Sequence, residues 1–264
     1  MRKLIWWSIV ALGLGLFALI IFYALPKMQP EPAAPPPAPA AAVQPPAPVE
    51  PQIRNPVTQQ PLDKPLPALG VSDASMRNAL SELASDKTLI ELFRIQDFVR
   101  HIVATVDNLP REKLALRLMP VKLPGGKFLV NGKEDSFAIG TDNAPRYAPY
   151  LRLADALDSR KLVALYVHFY PLFQQAYQEL GYPKGYFNDR LVEVIDHLLA
   201  APEVQAPAKL VRPKVFYLYA DPGMEARSAG QKILMRIGNE NAARIKAKLR
   251  EIRAELTREG PKSP

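Results

Sequence analysis

The chain has 264 residues and a net charge of +8, with 28 prolines, 13 glycines and no cysteine. The missing cysteine excludes a disulfide scaffold, a thiol nucleophile, cysteine-based zinc or iron–sulfur sites and a lipidated-cysteine anchor. The charge is not a basic coat: residues 70–208 carry a net of −1 and residues 209–264 a net of +7, so the excess is a C-terminal feature.

Residues 1–3 hold Arg2 and Lys3, and Leu4 to Leu25 follow without a single charge. At about 1.5 Å per residue that stretch spans roughly 33 Å, enough for a hydrocarbon core of about 30 Å. Trp6, Trp7 and Tyr23 sit near its ends, where amphipathic rings favour the membrane interface. A cleaved signal peptide is the competing reading, but its apolar region would be shorter and a small-residue cleavage site would follow closely. Residues 4–25 therefore read as an uncleaved transmembrane helix. The flanking cations favour a cytoplasmic N-terminus in the bacterial inner membrane and a periplasmic C-terminal part.

Residues 26–69 hold 15 of the prolines and many alanines. With few large apolar side chains the tract cannot offset its chain entropy, and it reads as a disordered, semi-rigid spacer. Its 44 residues reach at most roughly 136 Å at about 3.1 Å each.

Residues 70–264 are expected to form a mainly helical domain with a small β-hairpin or sheet element, an α+β arrangement being the variant. Ser72 or Asp73 caps a first helix through Leu83. Leu89, Ile90, Phe93, Ile95, Phe98, Val99, Ile102, Val103 and Val106 then recur at helical spacing, and Leu109-Pro110 ends that run. Lys127–Val130 and Ser136–Ile139 flank Asn131-Gly132, the mark of a hairpin. Glu134 and Asp135 read as solvated turn residues.

A helix is expected over 146–157. Asp158 or Ser159 caps a longer one over 160–180, which Pro171 kinks or splits and Gly181 stops. Another runs from Asn188 or Asp189 to Leu199. Residues 214–219 read as a strand, and Asp221-Pro222 as an N-cap with proline in the first helical position. The last helix covers about 241–256, with Ile245, Leu249, Ile252 and Leu256 on one face.

Tyr182-Pro183, the run from Ile195 to Val204 (IDHLLAAPEV), Tyr219-Ala220-Asp221-Pro222, and the run from Ser228 to Gly238 (SAGQKILMRIG) resemble domain of unknown function 3014. This is a bacterial family whose members look like single-span membrane proteins with a proline-rich linker. The resemblance covers roughly residues 85–256 and implies the same layout here. It supplies no activity, ligand or catalytic residue.

Candidate chemistry is sparse. No catalytic residue, metal ligand or cofactor is assigned. His101, His168 and His197 have no metal-ligand spacing, and no G-x-S-x-G, G-x-G-x-x-G or phosphate-binding loop occurs. Asp97 with His101, or Asp221 with Glu225, could pair for acid–base work, yet a surface pair and a helix cap explain them as well. Tyr166, Tyr170, Phe173 and Tyr177 share helical spacing, as a buried aromatic seam or as the wall of a groove for a peptide or a glycan. Arg244 and Lys248 belong to the basic face of the last helix, either a solvated face over a packed stripe or a contact for lipid head groups or a partner helix. Tyr166, Tyr170, Phe173, Arg244 and Lys248 are thus the binding candidates. The expected partners are the membrane, through an integral anchor, and envelope proteins or peptidoglycan; no nucleic acid is expected outside the cytoplasm. The reading is a membrane-anchored periplasmic binding or scaffold module, the alternative being an envelope-polymer hydrolase using an acidic or Asp–His pair.

Overall fold

A computed structural model describes residues 52–59, 65–83, 86–133 and 136–258. The expected transmembrane helix, most of the spacer, and Glu134 and Asp135 lie outside the described residues. No helix among the described residues is long and apolar enough to cross a membrane.

The fold is mainly helical, with small two-stranded antiparallel sheets. The helices are α1 (Asp73–Leu83), α2 (Phe98–Asn108), α3 (Ala148–Ala156), α4 (Ser159–His168), α5 (Tyr170–Glu179), α6 (Phe187–Leu199), α7 (Pro222–Glu225), α8 (Ala229–Arg236) and α9 (Asn239–Leu256). Short 3-10 turns cover Leu69–Val71, Lys87–Leu92, Leu116–Leu118 and Thr141–Tyr147.

Local chemistry sets several boundaries. Asp158, Asp221 and Ser228 each accept a backbone N–H from the first turn of the helix they precede. Pro171 separates α4 from α5, because it has no N–H to continue the ladder. Gly181, at φ 117°, stops α5 in a conformation that costs glycine little.

The long apolar run after Asp86 is not one helix. Its first part is the 3-10 turn at Lys87–Leu92. The chain then leaves helical geometry: Phe93 bridges Val121, Arg94 N donates to the Pro120 carbonyl at 2.8 Å, and Lys122 N to the Leu92 carbonyl at 2.8 Å. Asp97 sits at φ 48°, and α2 starts only after it. The Asp73 carboxylate accepts both Asp97 N (2.8 Å) and Phe98 N (3.0 Å), so α1 supplies the cap that α2 lacks locally. The periodicity is real, since Ile95, Phe98, Val99 and Val103 are all buried, but two elements share it.

The strands β1 (Val130–Asn131) and β2 (Ala138–Ile139) form the expected hairpin with only two residues each. The second hairpin pairs β3 (Leu210–Val211) with β4 (Leu218–Tyr219). The strand expected over 214–219 therefore shrinks to its last two residues, and Lys214 to Phe216 belong to the connecting tip, where Val215 and Phe216 are exposed. The hairpins join edge to edge: Leu210 N donates to the Phe137 carbonyl (2.7 Å) and Ile139 N to the Ala208 carbonyl (3.0 Å).

The largest core cluster gathers Phe98, Val99, Val103, Phe169, Tyr170, Phe173, Tyr177 and Phe187 between α2, α5 and the start of α6. The basic helix α9 lies along α4, α6 and α3. Its stripe is packed: Leu256 joins the Val163–Ile195 cluster with Ile252, and Ile245 and Leu249 pack on Val194, Leu198 and Leu234. At Gly230 the start of α8 closes on the end of α2. Gly230 N donates to the Leu109 carbonyl at 2.9 Å, and a Cβ there would stand 2.6 Å from Leu198 Cδ2 and 3.0 Å from that carbonyl.

Composition assigned residues 52–59 and 65–69 to the spacer, yet they are packed on the domain. Arg54 N (3.0 Å) and Asn55 N (2.6 Å) donate to the two Asp189 carboxylate oxygens, and Asn55 Nδ2 to one of them at 2.9 Å. Val57 N donates to the Tyr186 hydroxyl (2.8 Å), and Asn188 Nδ2 to the Asn55 carbonyl (2.9 Å). Val57, Leu66 and Leu69 rest on the main cluster. These residues form a strap over the start of α6, held by backbone donors that composition does not reveal.

Candidate functional site

Three elements meet around a recess of about 540 Å³: the end of β2 with the 3-10 turn after it, the irregular segment around 204–208, and the α8–α9 junction. Its apolar walls are Ile139, Val204, Pro207, Ala208, Met235 and Ile237. Gly238 joins α8 to α9 at φ 92°, a turn that a Cβ would strain, and α9 begins there without a side-chain cap.

Asparagines hold these walls. Asn239 takes both hydrogen bonds of one backbone residue, accepting Val204 N at 3.0 Å and donating to the Val204 carbonyl at 2.9 Å. Asn241 Nδ2 donates to the Ile237 carbonyl (2.8 Å) and the Ala144 carbonyl (3.2 Å). Buried Asn143 accepts Leu129 N at 3.0 Å and donates to the carbonyls of Leu129 and Gly140. Their amides bond to backbone, so the recess is mostly apolar and fixed in shape, the usual character of a small-ligand or peptide site.

The sequence-derived binding candidates lie elsewhere. Tyr170 and Phe173 are buried and Tyr166 is half-buried. The Tyr166 ring stands 5.6 Å from that of Tyr170 and 5.2 Å from that of Phe173. Burial pushes the Tyr166 and Tyr170 hydroxyls well above the usual phenol range, with neighbouring tyrosines adding to it. The Tyr166 hydroxyl reaches Asn188 and that of Tyr170 reaches Gln174. Arg244 pairs with Asp155. Lys248 Nζ donates to the Leu157 carbonyl (3.0 Å), Ser159 (3.3 Å) and Glu251 (3.0 Å). Arg253 of the same helix pairs with Asp196. Arg244, Lys248 and Arg253 are thus tied to the helices beneath α9, while Arg250 stands exposed.

Asp221 and Glu225 are engaged in structural bonds, and Asp97 and His101 are not bonded to each other. The Asp97 carboxylate stands 3.8 Å from Arg100, and buried Nδ1 of His101 has no partner. Asp221 caps α7 through Met224 N at 2.8 Å. Glu225 accepts Tyr219 N (2.9 Å) and Lys232 (2.8 Å); burial raises its carboxyl, but these donors outweigh that and leave it below the usual carboxylate range. His197 bonds Ser228 through Nε2 at 2.8 Å, and the His168 ring packs edge-on to Phe169. The Tyr219 hydroxyl is buried without a partner, and burial pushes it up to about 12. Among the described residues no cluster of three or more His, Asp or Glu side chains could hold a metal ion.

One polar centre had no signal in the sequence. Asp107, 2 % exposed, accepts Arg111 (2.5 Å), Arg190 Nε (3.2 Å) and the Tyr182 hydroxyl (3.2 Å), while Arg190 also donates to its carbonyl at 3.0 Å. The bond to Asp107 raises the Arg111 guanidinium still further. The centre bolts α2 to α6. It was invisible because its members lie far apart in sequence.

Comparisons with curated proteins and with solved structures give no match. A family model described as "Protein of unknown function (DUF3014)" matches residues 98–253. That span runs from the first residue of α2 into α9 and includes every wall of the recess. It is more than half of the chain, and the chain belongs to this family.

Proposed function

We propose that this chain is a membrane-anchored binding module of the bacterial cell envelope, whose recess at the α8–α9 junction takes a short apolar segment of an envelope protein. The observation that carries the reading is the recess itself: about 540 Å³, mostly apolar-walled, with the Asn143, Asn239 and Asn241 amides already bonded to backbone. A volume of this size suits a few apolar side chains. A peptidoglycan glycan suits it less well, because Asn131, Thr141, Arg236 and Glu240 are few partners for its many hydroxyls, most of which would lose water against apolar wall. Residues 4–25 are the inner-membrane span in this reading, the proline-rich stretch after it is the tether, and the domain is periplasmic.

Two measurements test it. A photoreactive residue at exposed Ala206, on the rim, crosslinks one envelope protein in intact cells. Thr141→Trp, at another exposed rim position, lowers that yield about tenfold or more, the effect of blocking a contact worth about 2 kcal/mol. An unchanged yield overturns the binding role. A reporter active only outside the cytoplasm, fused to the C-terminus, is active; activity of a cytoplasm-only reporter there overturns the orientation.

A further inference from the structure

The tip of the β3–β4 hairpin is at odds with the rest of the surface. Residues 211–216, Val-Arg-Pro-Lys-Val-Phe, are exposed without a break. Phe216 is 78 % exposed and Val215 70 %. No other large apolar pair adjacent in sequence is so bare among the described residues. Leaving such a pair in water is unfavourable unless something covers it.

The two strands hold the tip out from a firm base. Leu210 and Tyr219 are buried, and Tyr217 is braced edge-on by Phe137 at 5.3 Å. The Arg212 guanidinium lies over the Tyr217 ring at 5.3 Å, and Lys214 stands exposed between Arg212 and the apolar pair. No acidic residue occurs between Glu203 and Asp221, whereas Lys209, Arg212 and Lys214 all do. A narrow apolar tip flanked by cations fits a lipid interface, where apolar side chains enter the acyl boundary and cations meet anionic head groups. A protein pocket can also take an aromatic anchor, but three cations with no acid beside the apolar pair match an anionic surface better. The same chain carries the 22 uncharged residues at 4–25, and residues 26–51 can span only about 80 Å at about 3.1 Å each.

We propose that the Arg212–Phe216 tip docks on the surface of an anionic bilayer, inserting Val215 and Phe216 while Arg212 and Lys214 pair with lipid phosphates. The proposal rests on the anchored reading only for its supply of a nearby membrane. The tip then holds the recess close to the bilayer, and the C-terminal helix, whose cations other than Arg250 are bonded within the domain, takes no part.

Because the chain has no cysteine, Val215→Cys gives one labelling site for an environment-sensitive fluorophore. The labelled full chain is mixed with vesicles of phosphatidylcholine alone or with phosphatidylglycerol. Docking gives a blue shift with the anionic vesicles and quenching by shallow spin-labelled lipid. Each cation at an anionic surface contributes roughly a factor of five in affinity, so adding Arg212→Glu and Lys214→Glu raises the lipid needed by about twentyfold or more. Adding Phe216→Ser weakens the shift as well. A label that stays water-exposed on anionic vesicles overturns the proposal, as does a shift that ignores both charge reversal and Phe216→Ser. Flotation of the chain with neutral vesicles reports the anchor separately, so a failed anchor and a failed tip are distinguished.

Discussion

Replacing Phe187 with alanine is expected to destabilise the domain by about 3–5 kcal/mol, the range for truncating a fully buried aromatic ring. Phe187 is 0 % exposed at the first turn of α6. Its ring is stacked on Phe173 with 4° between planes, and Tyr177 stands 5.5 Å and Tyr166 6.4 Å away. Its backbone N–H donates to Gln174 Oε1 (2.9 Å), and Gln174 Nε2 in turn donates to the Gly185 carbonyl at 2.8 Å. The surroundings are therefore pinned and collapse poorly into the cavity, which places the cost toward the upper part of the range. Urea denaturation measures it: the midpoint falls while the slope stays constant. A loss under about 1 kcal/mol would mean the cluster repacks freely.

The second large effect belongs to Asp107. Asp107→Ala leaves the Arg190 guanidinium, on a side chain 20 % exposed, with Glu193 at 3.0 Å as its one remaining carboxylate, itself 55 % exposed. Because that pairing survives, the loss is that of a charge-assisted bond, about 1.5–3 kcal/mol, rather than the larger cost of a wholly unpaired buried charge. Arg111 is 55 % exposed, so its own pairing adds little, well under about 1 kcal/mol. The cycle of Asp107→Ala with Arg190→Leu separates the two costs: the double variant recovers part of the loss, because no under-paired buried guanidinium remains. Equal destabilisation in the single and double variants would assign the effect to lost packing.

The helical class, the proline break in the aromatic run and the caps at Asp158 and Asp221 were legible because each depends on neighbours within four residues. What was not legible depends on distant partners. The break before α2 needs Asp73 to cap Phe98 from 25 residues away. The strap needs backbone donors of Arg54 and Asn55 to find Asp189, 135 and 134 residues on. The recess arises where segments near 140, 206 and 238 converge, and its signature in the sequence is only a scatter of asparagines and Gly238. The aromatic run shows the other side of the same limit. Its spacing located a buried face, but spacing alone does not tell a seam from a groove wall, and the tyrosine hydroxyls are bonded to Asn188 and Gln174.

The strap also sets where mechanical load enters. Whatever precedes Gln52 pulls on the domain first through five hydrogen bonds, at Arg54, Asn55 and Val57, to Tyr186, Asn188 and Asp189. All of these lie on the first turns of α6 or the residue before it, away from the α8–α9 junction in sequence. Tension along the chain is thus resisted by a short, side-chain-held clasp before it reaches the helix ladders. The clasp and the recess thus rest on different elements, so load at the strap falls first on α6 and not on the α8–α9 junction.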